Sequence, residues 1–502
     1  MKKINSILIA NRGEIAVRIS ETARKMGIKT FGLKTSKEPA AYYLEFVDEI
    51  VDFTEILSDI PEFLDVDRII YAIKENDIDA VHPGYGYLSE NPYFAQKCTD
   101  EGIIFIGPSP DSIYKLGNKT IAKQLASSHN VPLLKGSNGN IRNTKHAKQL
   151  AKKIGYPVIL KAASGGGGRG MRVVEEESNI EKMFRMAQNE AEKAFGDASV
   201  FMEKYVRNPR HIEFQILADH HENIIHLGER ECSIQRKHQK LIEESPSIAL
   251  DKELRAEMGQ AAINIAKASK YKNAGTVEFL LDESRNFYFM EMNTRIQVEH
   301  PVTEQVTGYD LVEWQIRIAQ EEELSIKQED IKLNGWAIEC RINAEDVQSG
   351  FTPYLGTIEK MNAPKGKNIR FDTGISEGSS VTASFDSMLA KLICYGETRE
   401  KAILNTLAAL NKFQILGIKT TIPFCKAVLN HPKFKKGDIS TSFIAQDMDQ
   451  IYHQEKDEEL IAAFWAALNH NIQLEIEDQT YVDYEKGKNI TPWLLNKRLK
   501  SL

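Results

Sequence analysis

The sequence predicts a protein of the α/β plus α+β class built in successive domains, and three observations point there. The chain has 502 residues, 42% of them hydrophobic, which is room for roughly three cores at about 150 residues per domain. Its first hundred residues alternate short apolar runs with amphipathic stretches, the pattern of a parallel sheet wound with helices. Beyond them a glycine run lies between two strand-like segments, and the text then turns β-rich, which calls for a mixed arrangement.

Ile7-Leu8-Ile9-Ala10 predicts a short buried strand, and Ile15, Ile19, Ala23 and Met26 after Asn11-Arg12-Gly13 share one helical face. Strand, glycine turn and helix open a doubly wound unit, continued by Ala80-Val81-His82 and Ile103-Ile104-Phe105-Ile106, so residues 1–112 form one Rossmann-like domain. The first turn lacks GxGxxG. Residues 113–335 mix Ala- and Lys-rich helices with strands such as Val158–Lys161 and Phe287–Glu291, an α+β nucleotide-binding core. A third, β-rich domain spans 336–446, from Trp336–Arg341 to a helix around Arg399–Phe413. The tail, 447–502, is acidic and then helical, with Leu460, Ile461, Phe464, Trp465 and Leu468 at helical spacing.

Composition narrows the function. A formal charge of −7 argues against non-specific binding to nucleic acid. No run of roughly 18 uncharged apolar residues or secretory leader occurs, which places the chain in the cytoplasm and away from membranes. Cys98, Cys232, Cys340, Cys394 and Cys425 are widely spaced and form no CxxC pair, so reduced thiols are expected.

Three constellations carry chemistry. Ser164-Gly165-Gly166-Gly167-Gly168-Arg169-Gly170 joins strand to strand, and successive glycines let backbone N–H groups reach phosphate oxygens. Taken alone the loop is open to two readings, a phosphate lid or a flexible hairpin tip. It is no Walker loop, since no Gly-Lys-Ser/Thr follows. Lys161 and Lys119 would supply ammonium groups beside it. In Phe289–Glu299, an extended course would put Glu291, Asn293, Arg295, Gln297 and Glu299 on one face. Glu291, Asn293 and Glu278 then offer hard oxygen ligands for Mg²⁺ on ATP phosphates, the alternative being a strand with a polar outer side. Arg230–Lys240 is dense in cations, either an exposed loop or an anion pocket.

These segments, together with Ile9–Ala16, His82-Pro83-Gly84-Tyr85-Gly86-Tyr87-Leu88-Ser89-Glu90-Asn91 and Asn293–Pro301, closely resemble the biotin carboxylase family of ATP-grasp enzymes, in order from about residue 4 to residue 446. The resemblance implies a pre-ATP-grasp domain, an ATP-grasp domain whose mobile lid covers about residues 132–204, and a C-terminal domain. It implies that Lys119, Lys161, Gly167, Gly168 and His211 hold ATP, with Glu203, Lys204 and Val206 at the adenine and His238 near the ribose. Glu278, Glu291 and Asn293 would bind Mg²⁺ or Mn²⁺. Lys240, Arg295, Gln297 and the backbone of Val298 would fix bicarbonate, Glu299 would act as general base, and Arg341 would stabilise the biotin oxyanion. Asn118 stands where the family commonly has Asp, and Thr382–Asp386 departs from its usual Pro-Tyr-Tyr-Asp text near a dimer contact. No Met-Lys-Met biotinylation sequence occurs, so biotin is expected on a separate carrier protein, with carboxyltransferase subunits as further partners and a homodimer as the assembly. Gly417–Phe424 and Gly437–Thr441 resemble the acyl-CoA and pyruvate carboxylase branches.

Overall fold

The computed structural model describes residues 3–447 except 55–58, 138 and 163–170. Gly167, Gly168 and the tail face at Leu460 therefore lie outside the described residues. Residues 1–446 form one compact unit. Among the described residues no helix is long and apolar enough to cross a membrane.

The chain opens with a five-stranded sheet in the order β3-β2-β1-β4-β5, every neighbouring pair parallel: β1 (Ser6–Ile9), β2 (Lys29–Lys34), β3 (Glu49–Asp52), β4 (Ala80–His82) and β5 (Ile104–Phe105). Helix α1 (Gly13–Lys25) starts where expected, because Gly13 takes φ +67° at the strand-to-helix turn. Its Ile15 and Ile19 pack with Ile7, Leu8 and Val81 in one core. Helices α2 (Val66–Glu75), α3 (Pro92–Asp100) and α4 (Pro110–Gly117) follow. In α5 (Lys119–Ser128), the departure at Asn118 has a local reason: its Oδ1 accepts from the N–H groups of Thr120 and Ile121, an N-cap that Asn serves as well as Asp.

A small three-stranded antiparallel sheet comes next, β7-β6-β8, from β6 (Val158–Ala162), β7 (Arg172–Val174) and β8 (Val200–Lys204). Helices α6 (Thr144–Ile154) and α7 (Ile180–Phe195) close it around Leu160, Phe184 and Met202. The glycine run joins β6 to β7, as the strand-loop-strand pattern requires.

The centre of the molecule is an eight-stranded sheet. Five of its strands are β9 (Arg210–Ala218), β10 (Ile224–Arg236), β11 (Gln239–Ser245), β12 (Asn273–Leu281) and β13 (Phe287–Asn293), with α8 (Lys252–Ala268) packed on one side. After α9 (His300–Thr307) and α10 (Leu311–Ala319) the chain re-enters it as β14 (Trp336–Asn343). Short strands β15 (Glu345–Asp346) and β16 (Thr352–Pro353), β17 (Gly356–Thr357) and β18 (Lys360–Asn362) lead to β19 (Ile369–Thr373), then β20 (Ser380–Val381) and β21 (Met388–Gly396). Helix α11 (Arg399–Lys412), strand β22 (Gln414–Leu416) and helices α12 (Ile422–Asn430) and α13 (Pro432–Lys436) complete the fold. The order β13-β12-β9-β10-β11-β14-β21-β19 carries one antiparallel ladder straight across residue 336, where the change to β-rich text begins.

Two sequence expectations need correction. The strand through Phe289 stops at Asn293, so the segment is not extended to Glu299; Arg295–Val298 are irregular and Glu299 caps α9, whose first turn contains Pro301. A proline at N1 or N2 favours helix initiation, and this ends the period-2 pattern early. The cationic run is not an exposed loop throughout, only residues 237–239 being exposed. It forms the β10–β11 hairpin, whose two-residue turn, Lys237 and His238, takes φ +47° and +68°.

Candidate functional site

Register in the large sheet lines up charged side chains from strands far apart in sequence. Glu291 on β13 opposes Glu278 on β12, Glu278 opposes Glu213 on β9, and Glu213 opposes Arg230 on β10. Arg230 and Glu213 are fully buried, and Arg230 Nε donates to Glu213 Oε1 at 2.5 Å. The guanidinium also reaches Gln215, Thr276 and Thr303 at 2.8–3.0 Å, so all its arms are satisfied.

Lys240, on β11, sits at the middle of this row. Its Nζ is 2.5 Å from Glu213 Oε2, 3.0 Å from Glu278 Oε1 and 2.6 Å from Glu299 Oε1. Burial opposes the ammonium charge, but these three carboxylates raise its pKa well above the usual lysine value. Glu299 is 0% exposed, and its second oxygen is 3.0 Å from Arg341 Nη2. Burial alone would protonate Glu299; Lys240 and then Arg341 overrule it and hold the carboxyl well below the ordinary range. Arg341 in turn donates to Glu243 Oε1 from Nε at 2.6 Å.

Arg295 leaves the strand end beside this cluster. Its Nε donates to Glu90 Oε2 at 3.0 Å, and Nη1 reaches Gln297 Oε1 at 3.2 Å. Gln297 is 5% exposed, and its Nε2 is buried with no hydrogen-bond partner among the described residues. An orphaned buried donor costs stability unless a ligand completes it, so a small anion at Arg295 and Gln297 fits the site.

The residues expected at a metal meet a similar test. Asn293 Nδ2 donates to Glu278 Oε1 at 2.9 Å, and burial and then the charge of Glu278 raise the pKa of Glu291. Two crowded carboxylates with an amide beside them suit a hard divalent cation. Two groups have ligand atoms within 4.8 Å of one another, His211 with Glu213 and Glu278, and Glu213 with Cys232 and Glu299. Both share carboxylates with Lys240, as the expected metal residue Glu278 also does. All five thiols are buried and free.

Residues expected at the nucleotide fall on the three-stranded sheet, at the start of α5 and on the large sheet. Lys161 Nζ is 2.6 Å from Glu203 Oε2, and Lys123 contacts the other oxygen. Burial works against that charge, yet the two lysines bring the Glu203 pKa down to about 2. Lys204 Nζ donates to the carbonyls of Gly155 and Tyr156 at 3.0 and 2.8 Å, and Val206 is half-buried just beyond β8. Lys119 Nζ stands 3.8 Å from Glu291. His211 Nε2 is 3.0 Å from Glu278 Oε2, which raises its pKa against the effect of burial. The pKa of His238 is lowered by desolvation and then by Lys161 and His211. Sequence reasoning missed Lys123, Glu213, Glu243 and Glu90 and noticed Arg230 only as part of the cationic run; of the four, Glu90 alone, inside the His82–Asn91 motif, carried a signal.

Known proteins resemble this chain along most of its length. Residues 3–113 match the family "Biotin carboxylase, N-terminal domain", 118–327 "Carbamoyl-phosphate synthase L chain, ATP binding domain", and 339–446 "Biotin carboxylase C-terminal domain". The chain is 48% identical to biotin carboxylase 1 of Bacillus subtilis, over 88% of this chain and 98% of that protein. The crystal structure of a Campylobacter jejuni biotin carboxylase–β,γ-ATP complex superposes with TM-score 0.86 at 47% identity, covering 88% of this chain and 99% of that one. The biotin carboxylase domain dimer of Hydrogenobacter thermophilus 2-oxoglutarate carboxylase, solved with MgADP, ADP and bicarbonate, gives TM-score 0.86 at 44% identity over 90% and 99%. With identity of this order along nearly its whole described length, the chain belongs to the biotin carboxylase family.

Proposed function

We propose that this chain carboxylates biotin borne on a separate carrier protein, using ATP and bicarbonate, as the first half-reaction of an acyl-CoA carboxylase acting on propionyl-CoA or acetyl-CoA. The observation that carries the reaction is Lys240, held between Glu213, Glu278 and Glu299. ATP lies with its phosphates at Lys119, Lys161, His211 and the glycines Gly167 and Gly168, its adenine at Glu203, Lys204 and Val206, and its ribose near His238. Glu278, Glu291 and Asn293 would hold Mg²⁺ or Mn²⁺, which when bound would neutralise phosphate charge.

Bicarbonate enters between Arg295, Gln297, Lys240 and the Val298 N–H. Both Glu299 oxygens are engaged, by Lys240 and by Arg341, so the carboxylate becomes an effective base only as those cations turn to the substrate. It then takes the bicarbonate proton, the freed oxygen attacks the γ-phosphorus, and the bond to ADP breaks, giving carboxyphosphate. Carboxyphosphate splits to CO₂ and phosphate; phosphate takes the ureido N–H proton of biotin and the nitrogen attacks CO₂. Arg341 stabilises the ureido oxyanion, a role suited to a cation charged at any working pH.

The working assembly is a homodimer with carrier and carboxyltransferase subunits in the cytoplasm; the Hydrogenobacter domain is itself described as a dimer. Phosphate release from ATP that requires bicarbonate and rises with free biotin tests the reaction. If ATP is cleaved only with some larger carboxylate and an amine, a different ATP-grasp ligase is the better account. A second reading of the acceptor has support in relatives: a 2-oxoglutarate carboxylase small subunit is 44% identical, and the biotin carboxylase subunit of a pyruvate carboxylase superposes with TM-score 0.77. Offering acetyl-CoA, propionyl-CoA, methylcrotonyl-CoA, pyruvate and 2-oxoglutarate to the protein purified with its native partners decides among them.

A further inference from the structure

Lys391 is fully buried in β21, mid-sheet, where an ammonium is costly unless partners hold it. Its Nζ donates to the carbonyl oxygen of Val298 at 2.9 Å and lies 3.0 Å from Glu14 Oε1 and 3.8 Å from Asp372 Oδ2. Glu14 is in the first turn of α1 and also accepts from the Tyr85 hydroxyl. Asp372 on β19 and Arg341 on β14 are the two cross-strand neighbours of Lys391. The approach of α1 is close enough that a Cβ on Gly374 would stand 2.6 Å from Glu14 N, so glycine is required there.

For packing alone, a methionine would fill this volume without desolvating a charge. The ammonium's one neutral acceptor is instead informative. Val298 belongs to no strand or helix, so no ladder fixes its carbonyl, and the same peptide leads directly into Glu299. We propose that Lys391 is a positioning residue: anchored on Glu14 and Asp372, it clamps the Val298–Glu299 peptide, aiming the Glu299 carboxylate and the Val298 N–H at bicarbonate. The inference rests on the functional reading above. It further ties the His82–Asn91 loop, through Tyr85 and Glu14, to the orientation of the base.

Steady-state kinetics test it. Bicarbonate-dependent ATP cleavage by the unaltered protein is measured first; its absence overturns the functional reading and this inference together. Where that activity is present, Lys391→Met is expected to lower kcat/KM for bicarbonate about 10²-fold, the order expected for a displacement near 1 Å, with KM for ATP within about twofold. Glu14→Gln, which loosens the anchor and keeps the shape, shifts the same ratio in the same direction by a smaller factor. A folded Lys391→Met protein with unchanged bicarbonate kinetics, or with ATP and bicarbonate constants worsened alike, refutes positioning. Should Lys391→Met fail to fold, Glu14→Gln decides: an unchanged bicarbonate KM refutes the clamp, and a selective rise supports it.

Discussion

Arg341 and Glu299 meet end to end, Nη2 of one 3.0 Å from Oε2 of the other, and Nη2 is also 2.5 Å from Glu243. One guanidinium thus restrains the proposed base while standing where a biotin oxyanion would form. Arg341→Ala is expected to reduce carboxylation of free biotin by about 10²-fold or more, with ATP affinity nearly unchanged. Stranding Glu243 and Glu299 also costs about 3–5 kcal/mol, seen as a lower Tm. Turnover at the normal rate would refute the assignment.

Glu299→Gln keeps an acceptor for Arg341 and removes the base. Bicarbonate-dependent ATP cleavage is expected to fall about 10²–10⁴-fold, while nucleotide binding measured by calorimetry is retained. A loss of nucleotide binding equal to the loss of rate would show that Glu299 serves only the architecture.

Chelation of divalent cations is expected to stop ATP cleavage, and added Mg²⁺ or Mn²⁺ to restore it. Glu291→Gln, which removes one of the crowded carboxylates, raises the metal concentration for half-maximal rate about tenfold or more. A metal titration curve identical to that of the unaltered protein would take Glu291 out of the metal set.

Glu203 supplies a pH signature. Its carboxyl falls on folding from an ordinary value near 4.5 to about 2, so the folded state binds the proton less tightly than the unfolded chain. The resulting stabilisation, about 3 kcal/mol, is present above pH 4.5 and disappears as pH falls toward 2. The Tm difference between the unaltered protein and Glu203→Gln is therefore expected to narrow from pH 5 to pH 3. A gap that stays constant would mean Glu203 is not held ionised by Lys123 and Lys161.

Much of the fold was legible because local patterns agree with tertiary burial. Ala80–His82, Val158–Ala162 and α1 all form where apolar period and glycine placement indicate. Site residues inside motifs were legible too, including Lys240, Arg295, Glu299 and Arg341, which the structure gathers into one cluster. Glu213 and Glu243 were not, and Arg230 was visible only as part of the cationic run. Their roles depend on strand order, since Glu213 meets Arg230 and Lys240 only because β9, β10 and β11 lie side by side. Period and composition carry no information about such order. The course of Arg295–Glu299 was misread because a polar alternation inside a motif looks extended, while the helix start after it is set by Pro301.

The ladder that runs unbroken across residue 336 has a mechanical consequence. Lys240 on β11 and Arg341 on β14 are carried by strands hydrogen-bonded to each other, and Lys391 on β21 belongs to the next strand along. Shifting the backbones of Lys240 and Arg341 apart would mean tearing main-chain bonds, so a substrate draws the two cations off Glu299 by side-chain rotation above a framework that stays put. Lys161 and Glu203 ride on a separate three-stranded sheet, so no strand ladder couples their backbone to that of Lys240 and Arg341.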